Sequence, residues 1–344
     1  AQACRTLAAH LRERHAPFYE RTADETEGWL GAELDHAHAA ELGQIDTFRF
    51  EEEQILQDAL DALDDERWDE ALAWAGTRID GGSFWLRQNL TRLNAWQLVR
   101  DAARLGVALT TAGPSLSARS LEHTLDRYIA AGAPVDRAHR QLEQRRATLL
   151  GPQLPAFELL RARLDGLRAK WREWADLWAV DFNKLCRQQG FLPPAGLQQR
   201  TLFDDVVRPW TQEPGTTALF VVDALRFEMA AELFAAIDGS AGTNAKLEAR
   251  YAELPTVTEV GMNVLAPVAD RGRLRPHISD KRILGFSTGE FRVYDPETRQ
   301  RAMAHRAGGA TCPWLALAEV LERDTTSLKQ AVARARLVVV HSQE

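Results

Sequence analysis

Cysteine is scarce in this sequence, with three residues among 344, and Cys4, Cys186 and Cys312 lie far apart. This spacing excludes a C-x-x-C zinc knuckle and a disulfide framework, and it is typical of a protein in a reducing cytoplasm. No apolar run approaches the ~20 residues needed to cross a bilayer, and no signal peptide opens the chain. We therefore expect a cytoplasmic protein without a membrane-spanning segment.

Positive charge is also limited, with 42 Lys and Arg against 49 Asp and Glu and a net charge of −7. This balance argues against a protein that coats nucleic acid over its whole surface, although it leaves room for a local basic groove. Neither a Walker P-loop nor a G-x-G-x-x-G fingerprint is present. The chain begins at Ala1 rather than Met and stops at Glu344 directly after a strand-like run, so we expect a fragment of a longer protein.

Residues 1–200 are predicted to be mostly helical. Their strongest periodic signal is a seam of apolar residues at spacings of three and four from Phe157 to Leu185, which predicts one long helix. Its three tryptophans are expected in the core, with base stacking as the alternative. Seven arginines make this helix and the preceding one locally basic. A solvated helix face is the favoured interpretation, and a surface that binds a partner protein or nucleic acid is the alternative. These are Arg137, Arg140, Arg145, Arg146, Arg161, Arg163 and Arg168.

A stretch rich in proline and glycine, Gly190 to Gly215, separates this region from a second one. We place the boundary there, with an all-α helical region over residues 1–200 and an α/β region over residues 201–344. The elements predicted in the α/β region are strand Thr217–Val222, helix Ala224–Ala236, strand Ala245–Leu254, a short helix or turn Thr258–Leu265, a hairpin of Arg282–Leu284 with Phe291–Tyr294, helices Pro313–Leu321 and Ser327–Ala335, and strand Leu337–Val340.

Asp223 closes the first of these strands, which reads as a strand covered on both faces. An acid at the carboxyl end of a strand lies where open α/β sheets place their ligands. Thr258 follows a proline-containing bend about thirty-five residues later. A shared metal ion would lower the pKa of the threonine hydroxyl and prepare its oxygen for attack on phosphorus. The residue types of the pair are thus compatible with a metal-assisted phosphoryl transfer site.

Simpler interpretations exist for the same residues. Asp223 is also suited to cap the helix that follows it. Thr256 and Glu259 fit an S/T-x-x-E capping box, which would leave Thr258 in the first helical turn, where backbone amides favour a phosphate. Arg226 is a candidate for binding a substrate phosphate, and the alternative is an ion pair with Glu228 or another acid.

Other motifs are weaker. Gly285-Phe286-Ser287-Thr288-Gly289 matches the G-x-S-x-G nucleophile elbow, but a strand rather than a helix is predicted after it, so we favour a hairpin loop. His36 and His38 are two residues apart, which on a helix points them to different sides and makes them poor co-ligands.

The apolar run into Asp-Ala-Leu-Arg at 223–226, followed by Leu-Pro-x-x-Thr-x-x-Gly-Met at 254–262, resembles the PglZ family. This family is a branch of the alkaline phosphatase superfamily that is tied to BREX phage defence. The resemblance is good from Thr217 to Pro267 and weak over the first two hundred residues. It implies that residues 201–344 form the first half of an alkaline-phosphatase-like sheet.

The resemblance also implies roles for individual residues. Asp223 would be a metal ligand, and Thr258 would be the catalytic nucleophile and a second ligand. Two divalent ions, with zinc as the expected metal, would complete the site with further ligands beyond Glu344. Related phosphodiesterases often have an asparagine three residues after the threonine, where this sequence has Gly261, so that phosphate contact stays unassigned.

By this resemblance the expected function is metal-dependent hydrolysis or transfer of a phosphate ester or phosphodiester in BREX bacteriophage resistance. The expected partners are other BREX proteins, including a DNA methyltransferase, and DNA itself is a further candidate. The fragment alone is expected to be inactive because its ligand set is incomplete. The alternative is a non-catalytic scaffold of the defence complex that binds partner proteins or DNA.

Overall fold

The computed structural model describes residues 2–30, 42, 46–308 and 311–342. These form two compact units, one made of Ala1–Ser117 and Ala130–Phe182 and the other of Ala118–Ile129 and Asn183–Glu344. The boundary that the sequence predicts near residue 200 stays a prediction. His36, His38 and Glu344 lie outside the described residues.

The first unit is built from helices. Leu90–Ala112 packs against both Trp68–Asp80 and Ala133–Leu149, and its buried face includes Leu98, Val99 and Leu105. The helices that contribute to this unit are Gln2–Arg14, Ala16–Leu30, Arg49–Asp64, Trp68–Asp80, Phe84–Gln88, Leu90–Ala112, Ala133–Leu149 and most of Phe157–Gln189.

The long helix Phe157–Gln189 buries the apolar seam that its spacing predicts. Trp174 and Trp178 are buried, and each indole N–H donates a hydrogen bond of 3.0 Å to the carbonyl of Gly113. Trp171 stacks on the ring of His139 with centroids 3.5 Å apart. The three tryptophans therefore serve packing within the helical unit, which leaves the base-stacking alternative without support.

The arginines of this helical pair are matched by acids. Arg146 Nη2 lies 3.1 Å from Asp165, and Arg168 Nε lies 2.7 Å from Glu143. Most of the others also form ion pairs with carboxylates, namely Arg145 with Asp101, Arg161 with Glu158, and Arg163 with Asp64. Because these guanidinium groups are largely neutralised within the unit, the helical pair is a poor candidate for a nucleic-acid surface.

The second unit contains a three-stranded parallel sheet of β1 (Thr217–Val221), β5 (Trp314–Ala316) and β6 (Leu337–His341), with β6 in the centre. β6 alternates its side chains between two cores. Leu337 and Val339 face the main core of the unit, whereas Val338 and Val340 pack under Leu317–Glu322 and Thr325–Val332. The predicted fold class, an all-α region followed by an α/β part, is confirmed.

A second sheet is antiparallel and consists of β2 (Pro276–Ser279), β3 (Arg282–Ser287) and β4 (Arg292–Val293). The remaining α-helices of this unit are short. They are Leu121–Arg127, Arg208–Gln212, Phe227–Ile237, Thr258–Gly261, Pro296–Arg306, Leu317–Glu322 and Thr325–Val332.

Several predicted elements differ from the structure. β1 is not covered on both faces, because Ala218 and Phe220 on one face are exposed, Phe220 by 56%. No strand forms over residues 245–254, where Tyr251 makes one isolated bridge to Gln198. The segment 313–321 is predicted as one helix, but residues 314–316 form β5 and the helix begins only at Leu317. Parallel pairing with β6 outweighs local helix propensity at β5.

Two other expectations are adjusted in position. The G-x-S-x-G motif lies at the end of β3, and the β3–β4 hairpin forms around residues 288–291 as Phe286 pairs with Val293. Residues 276–279, for which no strand is predicted, form β2 and pair with β3. No helix in the described part of the chain is both long enough and apolar enough to cross a membrane.

Candidate active site

The carboxyl ends of β1 and β6 meet at one edge of the parallel sheet, where Val221 pairs with His341. Hydrogen bonding continues past both strands. The amide of Ser342 donates to the carbonyl of Val221 at 3.0 Å, and the amide of Asp223 donates to the hydroxyl of Ser342 at 2.9 Å. Parallel strands present their carboxyl ends on the same side, so this edge gathers side chains that are distant in sequence.

Asp223 occupies a turn and does not cap a helix. Its Oδ1 accepts a hydrogen bond of 2.9 Å from the amide of Ala224, a residue with a positive φ of 56°. The next helix begins at Phe227 with Arg226 at the N-cap position, so the interpretation of Asp223 as an N-cap is wrong. Asp223 is half-buried.

Thr258 is the first residue of the short helix Thr258–Gly261, and it follows the cis Leu254–Pro255 bond. The residue at the N-cap position is Val257, which has no side-chain cap, so the capping box predicted from Thr256 and Glu259 does not form. The helix is anchored through Val260, which is 1% exposed in the core of the unit. The side chain of Thr258 itself is exposed to solvent.

The structure brings Asp223 and Thr258 together. Thr258 Oγ1 donates a hydrogen bond to Asp223 Oδ2 over 3.2 Å, across a sequence separation of 35 residues. This carboxylate thus holds its own turn with one oxygen and the threonine hydroxyl with the other. Because Thr258 is exposed, a substrate can approach its oxygen from solvent.

The fit of this pair to a metal ion is partial. Carboxylate and hydroxyl oxygens are suitable donors for a divalent cation, but a zinc ion takes four ligands. Within the described residues, no group of three or more His, Cys, Asp and Glu side chains converges on one point. Asp223 and Thr258 therefore supply two oxygens toward a donor set that the described residues do not complete.

Arg226 forms an ion pair with Glu228 in this structure. Its Nη2 lies 2.7 Å from Oε1 of Glu228, a side chain that is 1% exposed, while Arg226 remains 53% exposed. This ion pair is the alternative that the sequence predicts for Arg226. A role in binding a substrate phosphate would require Arg226 to leave or share that contact.

Asn263 does not supply the phosphate contact that Gly261 leaves open. Its side chain is fully buried, with Nδ2 donating to the carbonyl of Glu259 at 2.7 Å and Oδ1 accepting from Arg299 at 3.0 Å. Asn263 therefore supports the helix that carries Thr258 from beneath.

Ser342 is the residue at this edge that sequence reasoning missed. The signal was available, since a hydroxyl directly after a buried strand lies at the same edge as Asp223. The neighbouring His341 packs its ring against Trp314 with centroids 5.3 Å apart, and its Nδ1 lies 3.0 Å from the carbonyl of Ser342.

Comparison with known proteins shows similarity over part of the chain. Residues 202–272 match the model of the BREX system PglZ alkaline phosphatase-like domain. A stretch of 116 residues, 32% of this chain, is 32% identical to the alkaline phosphatase-like protein BrxZ of Escherichia coli O9:H4 (strain HS). That match spans 13% of the relative's length. No solved structure matches the chain significantly. The resemblance to the PglZ family is therefore confirmed, over the segment that contains both Asp223 and Thr258.

Proposed function

We propose that this chain carries the nucleophile of a metal-dependent phosphohydrolase that acts in BREX bacteriophage resistance. The observation that carries the proposal is the 3.2 Å hydrogen bond between Thr258 Oγ1 and Asp223 Oδ2 at a sheet edge. The match of residues 202–272 to an alkaline phosphatase-like domain supports the same chemistry. The activity, its substrate and its cytoplasmic partners, other BREX proteins and a DNA methyltransferase among them, belong to the full-length protein.

In the proposed reaction, Thr258 Oγ1 forms a bond to phosphorus while the bond from phosphorus to the leaving oxygen breaks. The threonine proton passes to solvent, and the departing alkoxide takes a proton from solvent, which balances the step. Water then cleaves the phosphothreonine, returning the hydroxyl and releasing phosphate or a phosphomonoester. Divalent ions, with zinc as the expected metal, would lower the pKa of the hydroxyl and neutralise charge in the transition state.

The chain's own residues orient this chemistry. Asp223 Oδ2 accepts the hydroxyl hydrogen of Thr258, which fixes the direction of the oxygen lone pairs. The amide of Ala224 fixes the carboxylate through Oδ1. Fixed geometry of this kind lowers the entropy lost on reaching the transition state. Arg226 is proposed to bind a phosphate oxygen after releasing Glu228.

The test is hydrolysis of p-nitrophenyl phosphate and bis(p-nitrophenyl) phosphate by the full-length protein with added Zn²⁺, Mn²⁺ or Mg²⁺. We expect Thr258→Ala to lower kcat by roughly a thousandfold or more while the remaining ligands, Asp223 among them, keep metal bound. Thr258→Ser should retain part of the activity because it keeps the nucleophilic oxygen. Thr256→Ala is the matched control, since it removes a threonine from the same exposed loop, and it should hydrolyse both esters at the wild-type rate.

A non-catalytic scaffold of the defence complex is the second candidate. Phage-plating assays separate the two proposals. If Thr258→Ala cells resist phage as well as wild-type cells, the scaffold is supported and hydrolysis is not the basis of resistance. Loss of resistance in Thr258→Ala but not in Thr256→Ala supports the enzyme.

A further inference from the structure

The antiparallel ribbon of β2 and β3, with the turn that precedes it and the strand β4 that follows, is the most basic exposed part of the second unit. Residues 271–292 contain six Lys and Arg against two Asp and Glu, a net charge of +4 in a chain whose total is −7. All four residues of β2 are exposed on both faces of the ribbon. We call residues 271–292 the basic ribbon.

Within the described part of the chain, most of these cations form no ion pair. Arg275 forms an ion pair of 3.0 Å with Asp270. None of the other five has a carboxylate within ion-pair distance among the residues that the structure describes; they are Arg271, Arg273, Lys281, Arg282 and Arg292. The two acids of the ribbon are engaged, Asp280 with the hydroxyl of Ser279 at 3.4 Å and Glu290 with His305 at 3.5 Å. This contrasts with the arginines of the helical unit, which are largely paired.

The cations gather at the two ends of the ribbon. Lys281 and Arg282 form the tip, where Arg282 pairs with Ser279 across the turn. At the other end Arg292 pairs with Ser287, whose amide bonds to the carbonyl of Arg275. Five residue steps along β3 separate the ends, which corresponds to roughly 17 Å. The major groove of B-DNA is about 12 Å wide and admits a two-stranded ribbon, so two such ends can reach phosphates on its opposite borders.

We propose that the basic ribbon binds the phosphate backbone of duplex DNA. Electrostatic contact with phosphates requires exposed cations that are not already in ion pairs, and it requires a shape that fits a groove of the duplex. The basic ribbon meets both requirements. The helix Thr258–Gly261 packs against β3, so DNA held by the ribbon lies beside the helix that begins with Thr258. The ribbon lies almost entirely beyond the family match at residues 202–272. Binding does not depend on the hydrolysis proposed above.

The test measures binding of a 30-base-pair duplex to the full-length protein by fluorescence anisotropy at several salt concentrations. Two double variants remove one end each, Lys281→Gln with Arg282→Gln and Arg273→Gln with Arg292→Gln. Each should weaken binding roughly tenfold or more and lower the slope of log affinity against log salt by about 1.8, since each lost phosphate contact contributes about 0.9. Arg301→Gln with Arg323→Gln is the matched control, because it removes the same charge from exposed arginines of the same unit, and it should leave the slope unchanged.

Thr258→Ala should bind DNA like the wild type, which keeps this test separate from that of hydrolysis. The proposal is overturned if both ribbon variants keep the wild-type slope, or if the control pair loses as much affinity as they do. It is also overturned if polyglutamate competes as well as duplex DNA at equal charge, since the ribbon would then be a surface for acidic proteins.

Discussion

The backbone amide of Asp223 donates a hydrogen bond of 2.9 Å to the hydroxyl of Ser342, a residue 119 positions later in the chain. The amide of Ser342 in turn bonds to the carbonyl of Val221. These two bonds extend the ladder between β1 and β6 beyond the strands. They fix the backbone of Asp223 and, through it, the direction in which its carboxylate meets Thr258.

Ser342 is therefore predicted to be a positioning residue for the proposed reaction. Ser342→Ala removes the acceptor for the Asp223 amide, and we expect kcat on p-nitrophenyl phosphate to fall by about tenfold, the cost of one lost hydrogen bond at about 1.4 kcal/mol. KM should change little, because the hydroxyl of Ser342 is engaged by the amide of Asp223. Ser342→Thr keeps the hydroxyl and should restore the rate.

Ser240→Ala, at an exposed serine of the same unit, is the matched control for this variant and should keep the wild-type kcat. The positioning role is rejected if the Ser342→Ala variant hydrolyses p-nitrophenyl phosphate with the wild-type kcat. It is equally rejected if Ser342→Thr fails to restore the rate while its melting temperature matches that of the wild type.

The sequence predicted the proximity of Asp223 and Thr258 better than it predicted the surrounding elements. Asp223 and Thr258 were recognised because each follows a strong local signal, an apolar strand in one case and a proline-containing bend in the other. Their contact was inferred from the rule that parallel strands place functional side chains at one edge. Ser342 belongs to the same edge and needed only the same rule.

The errors in strand assignment have a common physical cause, which is that strand pairing depends on partners distant in sequence. Residues 245–254 alternate like a strand but find one isolated bridge, whereas Trp314–Ala316 carries a helical pattern and is drawn into the sheet by β6. Capping was misjudged at Asp223 and Thr256 because the following helices begin one to three residues later than propensity suggests.

A glycine at a helix crossing provides a prediction about the first unit. Gly106 lies in Leu90–Ala112, and a Cβ added there would stand 2.2 Å from the indole of Trp68. Gly106→Ala should therefore force the helices apart and lower the free energy of unfolding by about 1–3 kcal/mol. Gly166, in Phe157–Gln189, has no atom within 4 Å of such a Cβ.

The matched change Gly166→Ala should raise the free energy of unfolding by about 0.5–1 kcal/mol, because alanine is the better helix former. Urea denaturation followed by circular dichroism measures both variants. Equal effects of the two substitutions would show that the Trp68 contact does not limit packing at this crossing.

Asn263 provides a prediction about the support of the candidate site. Asn263→Ala removes the acceptor of the 3.0 Å bond from Arg299 and the donor of the 2.7 Å bond to Glu259, both in a fully buried position. Leaving buried polar groups without these partners should cost about 2–3 kcal/mol of unfolding free energy. Asn244→Ala, at an exposed asparagine of the same unit, should cost nothing measurable in the same thermal or urea denaturation series. A similar stability for the two variants would contradict a supporting role for Asn263.

The buried acid Glu51 provides the prediction on pH. Its carboxylate is 4% exposed, and burial raises the pKa of Glu51 from 4.5 to about 7 despite hydrogen bonds from the amides of Thr47 and Phe48. Arg78 nearby lowers the pKa and Asp46 raises it, both by smaller amounts. Burial also raises the pKa of Glu52 in the same cluster.

A raised pKa means that the folded protein binds the Glu51 proton more tightly than the unfolded chain does. The stabilisation is therefore fully present below pH 4.5 and is lost as pH rises through about 7. Its upper limit is about 3 kcal/mol, from 1.36 kcal/mol per pKa unit. Glu51→Gln should remove this dependence, so the variant should gain stability relative to the wild type between pH 4.5 and 7 in urea denaturation. Glu53→Gln, at an exposed position in the same helix, should follow the wild-type curve, and parallel curves for Glu51→Gln and the wild type would contradict the assignment.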